Sequence, residues 1–209
     1  MAETFHIVMQ PLKDEYCTLI AAIFDQIVKA EWRAAETWHI REGVFTKGSI
    51  PTDSGELLAL EPSQVGFDKG ELDLAIGAGW FEPKVATLFS DISFFEHPQA
   101  QKELKRLLSS IQFPPGTVVV GDSEYRLEDA KELRLPIVSK DRFREFGFFW
   151  VDMLTKQQLE TVSSVLPSTG GETIARLDDH EVVRLWDSPR KKIGRTEQFR
   201  ELARRAAEV

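Results

Sequence analysis

The chain has 209 residues, of which 42% are hydrophobic and 29% are charged, and these proportions are typical of a globular domain rather than a disordered chain. No apolar run approaches the ~20 residues that a membrane-spanning helix requires, so we expect no membrane partner. The net charge of −8 at pH 7 argues against nonspecific binding to nucleic acid, because such binding depends on an excess of lysine and arginine.

The expected location follows from the first residues and from the cysteine content. The N-terminus lacks the basic stretch and apolar core of a signal peptide. The single cysteine, Cys17, cannot form an intramolecular disulfide, and its position in a periodic helical stretch predicts a small buried side chain. We therefore expect a cytoplasmic protein.

Charge is distributed unevenly along the chain. From Ser188 onward the sequence has seven basic and three acidic residues, so this tail carries +4 and the preceding body carries −12. A basic C-terminal helix that complements the acidic body and its own helix dipole explains the tail. An arm that binds anions is the alternative interpretation.

The clearest signal for secondary structure lies near the N-terminus. Residues 5–9 read as a short apolar strand, and residues 13–31 carry apolar side chains at helical spacing over roughly five turns. Ile23 and Phe24 lie at the centre of this apolar stripe. We therefore expect both side chains to be buried on a long first helix.

The signals between residues 34 and 95 are weaker. Residues 34–45 are compatible with a strand or with a frayed continuation of the helix. Residues 47–70 contain six glycine and proline residues, which indicates a long loop or a subdomain boundary. Alternation at residues 72–76 predicts a strand, whereas residues 85–95 are compatible with either a strand or a helix.

The second half of the chain has four well-marked segments. A helix is predicted to begin at Pro98, and residues 117–120 form a short β-branched strand. Residues 127–133 are compatible with a short helix before Pro136. Residues 143–153 are rich in aromatic side chains.

The C-terminal quarter contains a capping box and a hairpin. Residues 155–158 match the capping-box pattern, which predicts a helix through about residue 165. Residues 172–177 and 181–186 read as paired strands around two aspartates. Thr196 is expected to cap a terminal helix.

These elements favour the α+β class. Helices and strands interleave, but the strands are short and end in a hairpin, unlike the regular crossovers of a doubly wound parallel sheet. The predicted fold is a mixed or antiparallel sheet covered by helices, in a single domain of residues 1–209.

One acidic cluster is a candidate metal site. Asp68, Glu71 and Asp73 are close in sequence, and the i, i+2 spacing of the last two would direct both carboxylates to one face of a strand. A small metal-dependent hydrolase built on these residues is the alternative function. Solvent-facing acids in a chain of this charge also explain the cluster without any metal.

The sequence contains no complete cofactor or catalytic motif. Gly77 and Gly79 begin like a dinucleotide fingerprint, but Glu82 occupies the third glycine position and places the wrong charge near a diphosphate. No two histidines have the i, i+3 or i, i+4 spacing of a helical metal site. We expect no cofactor, and a noncatalytic protein is favoured over an enzyme.

The aromatic segment suggests a contact surface. Phe149 and Trp150, with Arg144 nearby, have the composition of an interface hot spot, while a buried central strand is the structural alternative. Together with the acidic body, this segment predicts a noncatalytic protein-binding module. We expect an inhibitor or an immunity-type protein that neutralises a basic protein partner through an acidic face.

Overall fold

The computed structural model describes residues 4–41, 44–79, 84–123, 127, 141–145, 147–190 and 196–209. Ten strands are present in these ranges: β1 Thr4–Gln10, β2 Arg33–Arg41, β3 Val44–Lys47, β4 Ser63–Lys69, β5 Leu72–Ala78, β6 Ala86–Asp91, β7 Val118–Ser123, β8 Val151–Thr155, β9 Glu172–Leu177 and β10 His180–Arg184. The same ranges contain eight α-helices: α1 Tyr16–Lys29, α2 Ser54–Ala59, α3 Ile92–Glu96, α4 Pro98–Ser110, α5 Asp141–Glu145, α6 Lys156–Val162, α7 Leu166–Thr169 and α8 Glu197–Ala206.

All ten strands form one antiparallel sheet that does not close into a barrel. Their order across the sheet is β3-β2-β4-β5-β6-β1-β7-β8-β10-β9. β1 lies in the middle, where it pairs with β6 on one side and β7 on the other. The predicted class is confirmed: the protein is a single α+β domain with an antiparallel sheet covered by helices.

The two halves of the sheet repeat one connection pattern. In the first half β1 leads into α1, and the chain then runs through neighbouring strands until β6 returns to pair with β1. In the second half β8 leads into α6, and the β9–β10 hairpin returns to pair β10 with β8. β7 joins the halves, although it meets β8 at a single residue pair, Gly121 and Val151.

The main core extends through both halves of the molecule and includes apolar residues of the strands and of α1, α3, α4, α6 and α8. Phe5, Ile7 and Met9 point from β1 into this core. The predicted centre of α1 is confirmed, because Ile23 and Phe24 are 0% and 2% exposed. Cys17 is exposed on the same helix, so the prediction of a buried thiol is wrong.

Several ambiguous segments are resolved as strands. Residues 34–45 contribute to β2 and β3 rather than to an extension of α1. Residues 85–95 form β6 and then α3. Within residues 47–70 the chain forms α2 and β4, and β4 pairs with both β2 and β5. The interpretation of this segment as a long loop is therefore wrong.

The C-terminal predictions are confirmed in their main features. The Thr155 side chain accepts a hydrogen bond from Gln158 N, and the Gln158 side chain accepts one from Thr155 N, as a capping box requires. Helix α6 ends at Val162, three residues before the predicted end. The β9–β10 hairpin forms as expected, and Thr196 caps α8. Apart from Leu127, the helix predicted at residues 127–133 lies outside the described residues.

The helices of the described ranges are short or amphipathic. None of them is long and apolar enough to span a membrane.

Candidate acidic groove

The two faces of β4 and β5 differ sharply in composition. Val65 and Phe67 of β4 and Leu74 and Ile76 of β5 point into the main core. Because side chains alternate along a strand, the intervening residues project from the opposite face of the sheet, which we call the groove face. On it lie Gln64, Gly66 and Asp68 of β4, and Asp73, Ala75 and Gly77 of β5.

A groove of about 420 Å³ lies on the groove face and crosses several strands. Gly66, Ala75 and Phe89 contribute to its floor. The ring of Phe89 stacks on His6 of β1, with the ring centroids 5.1 Å apart and the planes inclined by 11°. The volume lies within the range of sites that hold a small molecule or a few side chains of a partner.

The charged residues that line this groove are mainly acidic. Four carboxylates and one ammonium group contribute, so the groove has a net charge of −3 at neutral pH: Glu36, Lys47, Asp68, Asp73 and Asp91. We refer to this site as the acidic groove. It concentrates negative potential on one face of an already acidic molecule.

Gly66 allows Glu36 to lie across the groove floor. A Cβ atom at position 66 would lie 3.1 Å from Cγ of Glu36, closer than most side-chain contacts. Within the described part of the chain, the Glu36 carboxylate forms no ion pair or hydrogen bond. Its negative charge is therefore available to a ligand.

Asp68 and Asp73 face each other across β4 and β5. They are directly opposite in the antiparallel register, where like charges destabilise a sheet. Asp68 lies 3.6 Å from the exposed guanidinium of Arg33, and Asp73 accepts a hydrogen bond of 3.3 Å from the Ser90 hydroxyl. These contacts only partly offset the repulsion between the two carboxylates.

Asp91 lies at the C-terminal end of β6 and caps α3. Its Oδ1 accepts a hydrogen bond of 2.8 Å from the backbone N–H of Ser93. Hydrogen bonds from Ser93 hold the pKa of the Asp91 carboxyl below its usual range, and the charge of Arg190 acts in the same direction. This carboxylate is therefore fully ionised at neutral pH.

The groove opens toward the edge of the sheet at β3. Lys47 lines the groove, and every residue of β3 is exposed. Val44 and Phe45 are 60% and 56% exposed, which is unusual for large apolar residues on an edge strand. An apolar edge thus adjoins the acidic groove.

The structure does not support the alternative metal site at Asp68, Glu71 and Asp73. Glu71 lies with Gly70 in the turn between β4 and β5, not on a strand beside Asp73. Within the described residues, no group of three or more acidic, histidine or cysteine side chains could hold a metal ion. The spacing argument failed because it placed Glu71 on the strand, whereas the strand begins at Leu72, where the alternation predicted it.

The predicted partner anchor is also wrong. Phe149 and Trp150 are both 0% exposed, and neither can contact another protein in this fold. The Trp150 ring packs against Phe5 at 4.8 Å, and its Nε1 donates a hydrogen bond of 2.8 Å to the Trp186 carbonyl. Arg144 is exposed on α5, which contacts α8, and it does not line the acidic groove.

A buried ion pair explains the charged residues of the aromatic segment. Arg142 donates two hydrogen bonds to Asp152, at 2.9 and 2.7 Å, and the two side chains are 5% and 0% exposed. The Arg142 guanidinium also lies 4.2 Å from the ring centre of Phe143. Phe143, Phe148, Phe149 and Trp150 are buried, as the structural alternative proposed, although residues 147–150 are irregular rather than a strand.

A second polar cluster lies near the start of α1. Tyr16 is buried, and burial together with the neighbouring Glu61 carboxylate raises the pKa of its phenol. Lys84 pairs with Glu61 at 2.5 Å and lies 5.3 Å from the ring centre of Tyr16. The Tyr16 phenol stays protonated beside the ion pair of Lys84 and Glu61. We therefore interpret this cluster as structural.

Three arginines in the described part of the basic tail form ion pairs within the protein. Arg190 pairs with Glu96 at 2.8 Å, and Arg204 and Arg205 pair with Glu201 on their own helix. Phe199, on the same helix, is buried against Trp186. These contacts favour the interpretation of α8 as a packed amphipathic helix.

Sequence reasoning missed the residues that complete the acidic groove. Glu36 and Asp91 lie on strands distant in sequence from Asp68 and Asp73, and only the strand order brings them together. Alternation along β5 could have shown that Asp73 and Ala75 share a face. Comparison of the chain with protein-family models, with curated proteins and with solved structures gives no significant match.

Proposed function

We propose that this protein is a noncatalytic binding module that recognises a basic protein partner through the acidic groove, as an inhibitor of the immunity type does, in the cytoplasm. The observation that carries the proposal is the groove itself, which is lined by four carboxylates, by Lys47 and by the ring of Phe89. Lysine and arginine side chains complement such a surface in charge, and their apolar stems pack on a floor such as that of Phe89.

Exposure at the edge of the groove supports the same function. Val44 and Phe45 replace Phe149 and Trp150 as the candidate apolar contacts, because both are exposed on the edge strand that carries Lys47 of the groove. Interfaces commonly combine a few large apolar anchors with a charged rim. A partner that covers both the groove and the β3 edge would remove water from the groove carboxylates and from the apolar side chains of β3.

A charge-matched pair of variants tests the proposal. The groove variant carries Glu36→Gln, Asp68→Asn and Asp73→Asn. The control variant carries Asp25→Asn, Glu160→Gln and Glu208→Gln, three exposed residues that do not line the groove. Both variants lose three negative charges, so any difference between them reports the position of the charge rather than its amount.

Each protein is used to capture partners from a lysate of its native cell. We expect the wild type and the control variant to retain the same basic protein in stoichiometric amount, and the groove variant to lose it. Circular dichroism checks that all three proteins are folded. Retention of the partner by the groove variant at the wild-type level would contradict the proposal.

A further inference from the structure

The two edges of the sheet are protected to very different degrees. At one edge, β9 contacts helix α4, and its Glu172 pairs with Arg184 at 3.0 Å and with Lys105. At the other edge, β3 has four exposed residues, two of which are large and apolar. Proteins usually cover an edge strand or place charges on it, and β3 carries one charge, that of Lys47, beside its two apolar residues.

The hydrogen-bond pattern identifies which backbone groups of β3 are open. The Gly48 N–H donates to the Thr37 carbonyl at 2.9 Å, so the bonded pairs continue at every second residue along the two strands. In the observed register these are the pair of His39 and Thr46 and the pair of Arg41 and Val44. The N–H and C=O groups of the intervening residues of β3 therefore point away from β2.

Those two intervening residues, Phe45 and Lys47, also face the groove. Lys47 lines the groove directly, and Phe45 lies two residues before it on the same face of the strand. The open backbone edge and the acidic groove are thus presented side by side. A strand added to β3 would lie two strand spacings, roughly 10 Å, from β2, which carries Glu36.

The negative charge of the groove and of the whole chain indicates which kind of strand can pair with β3. A second copy paired through β3 would place two acidic grooves in one continuous sheet, and each chain carries a net charge of −8. A basic segment instead brings cations toward Glu36 and the carboxylates beyond it, although these cations must reach past the like charge of Lys47. Side chains of such a segment alternate, so those on one side reach toward the groove and those on the other lie beside Val44.

We propose that the partner adds an extended segment to the open edge of β3, with lysine or arginine at alternate positions and apolar residues between them. This inference rests on the proposed function and specifies how the partner is recognised. Main-chain hydrogen bonds to Phe45 and Lys47 supply affinity, and the alternating cations supply specificity.

A short synthetic peptide of alternating lysine and valine is the probe. Hydrogen exchange followed by NMR should show new protection of the Phe45 and Lys47 amides of the full-length protein when the peptide is added. A peptide of the same sequence with N-methylated backbone amides should bind at least ~10-fold more weakly, because it cannot complete the ladder.

Two variants of Phe45 provide a matched comparison. Phe45→Pro removes the outward N–H without removing any bond to β2, whereas Phe45→Leu keeps that N–H and an apolar side chain. We expect the proline variant to bind the peptide roughly tenfold more weakly than the leucine variant. If the proline variant is unfolded, the amide protection in the wild type still decides the question.

The outcomes separate this inference from the proposed function. Binding that depends on the groove carboxylates without protection of the β3 amides would overturn strand addition and leave the proposed function intact. Equal protection by a peptide of alternating glutamate and valine would overturn the choice of a basic segment and contradict the proposed function. Peptide binding to neither the groove nor β3 would overturn both.

Discussion

Burial of single residues decides which charged and aromatic side chains are structural. Arg142 and Asp152 form a bidentate pair that is almost completely removed from solvent, and Asp152 also accepts a hydrogen bond of 3.1 Å from the Phe149 N–H. Composition alone suggested an exposed hot spot in this segment. The same residues, arginine among aromatics, occur both in interfaces and around a buried ion pair, and only the position of the segment in the sheet distinguishes the two.

We predict that Arg142→Ala lowers the free energy of unfolding by about 3–5 kcal/mol, because it leaves the Asp152 carboxylate buried without a counter-ion. Arg33→Ala, which removes an exposed ion pair, should cost less than ~1 kcal/mol. Urea denaturation at neutral pH measures both. Similar losses for the two variants would show that the buried pair contributes no more than the exposed one.

At the scale of secondary-structure elements, the acidic groove conflicts with the stability of its own strands. Asp68 and Asp73 are opposite each other on β4 and β5, and they repel unless a cation lies between them. Sites that bind a charged partner often keep such unfavourable pairs, because the partner relieves them.

Asp73→Asn should therefore raise the free energy of unfolding by about 0.2–1 kcal/mol at low ionic strength. The amide can still accept the hydrogen bond from Ser90, so the change mainly removes repulsion. The gain should shrink as salt is added, since salt screens exposed charges. Asp25→Asn makes the same change at an exposed position of α1. If it raises the free energy of unfolding as much as Asp73→Asn does, repulsion between Asp68 and Asp73 is not the cause.

How far the sequence predicts these elements depends on whether the signal is local. α1, the α6 capping box and the β9–β10 hairpin were predicted because periodicity and turn chemistry lie within a few residues. β4 was missed because Pro62 and Gly66 interrupt its pattern. Pro62 precedes the first residue of the strand, and Gly66 leaves room for Glu36, so neither breaks the strand.

The candidate site was only half visible from the sequence for the same reason. Asp68, Glu71 and Asp73 were recognised as an acidic cluster, but Glu71 was wrongly placed on one strand with Asp73. Glu36 and Asp91 join them through strand order, which no local pattern encodes. An acidic cluster could thus be predicted from the sequence, while the full set of charged groove residues required the register of five strands.

At the scale of the whole molecule, the acidic body should govern how fast a basic partner arrives. The chain carries −12 before its basic tail, and the groove concentrates part of that charge on one face. Long-range attraction between opposite charges raises association rates, and salt screens it over a Debye length of about 8–10 Å.

We predict that the association rate with the captured partner falls as ionic strength rises, while the dissociation rate changes less. The groove variant should show a weaker salt dependence than the control variant, although both have the same net charge. Surface plasmon resonance at several salt concentrations measures both rates. Identical slopes for the two variants would assign the attraction to total charge and not to the groove.

The central position of β1 has a consequence for the order in which the protein assembles. Thr4 pairs with Asp91 and Phe5 with Ser123, so the middle strand finds its two neighbours only after more than half of the chain has been synthesised. Contacts between residues so distant in sequence slow folding, because a long loop must close before they form. Until β6 and β7 have been synthesised, α1 has no complete sheet to pack against. The apolar stripe of α1 is therefore not yet buried in the nascent chain.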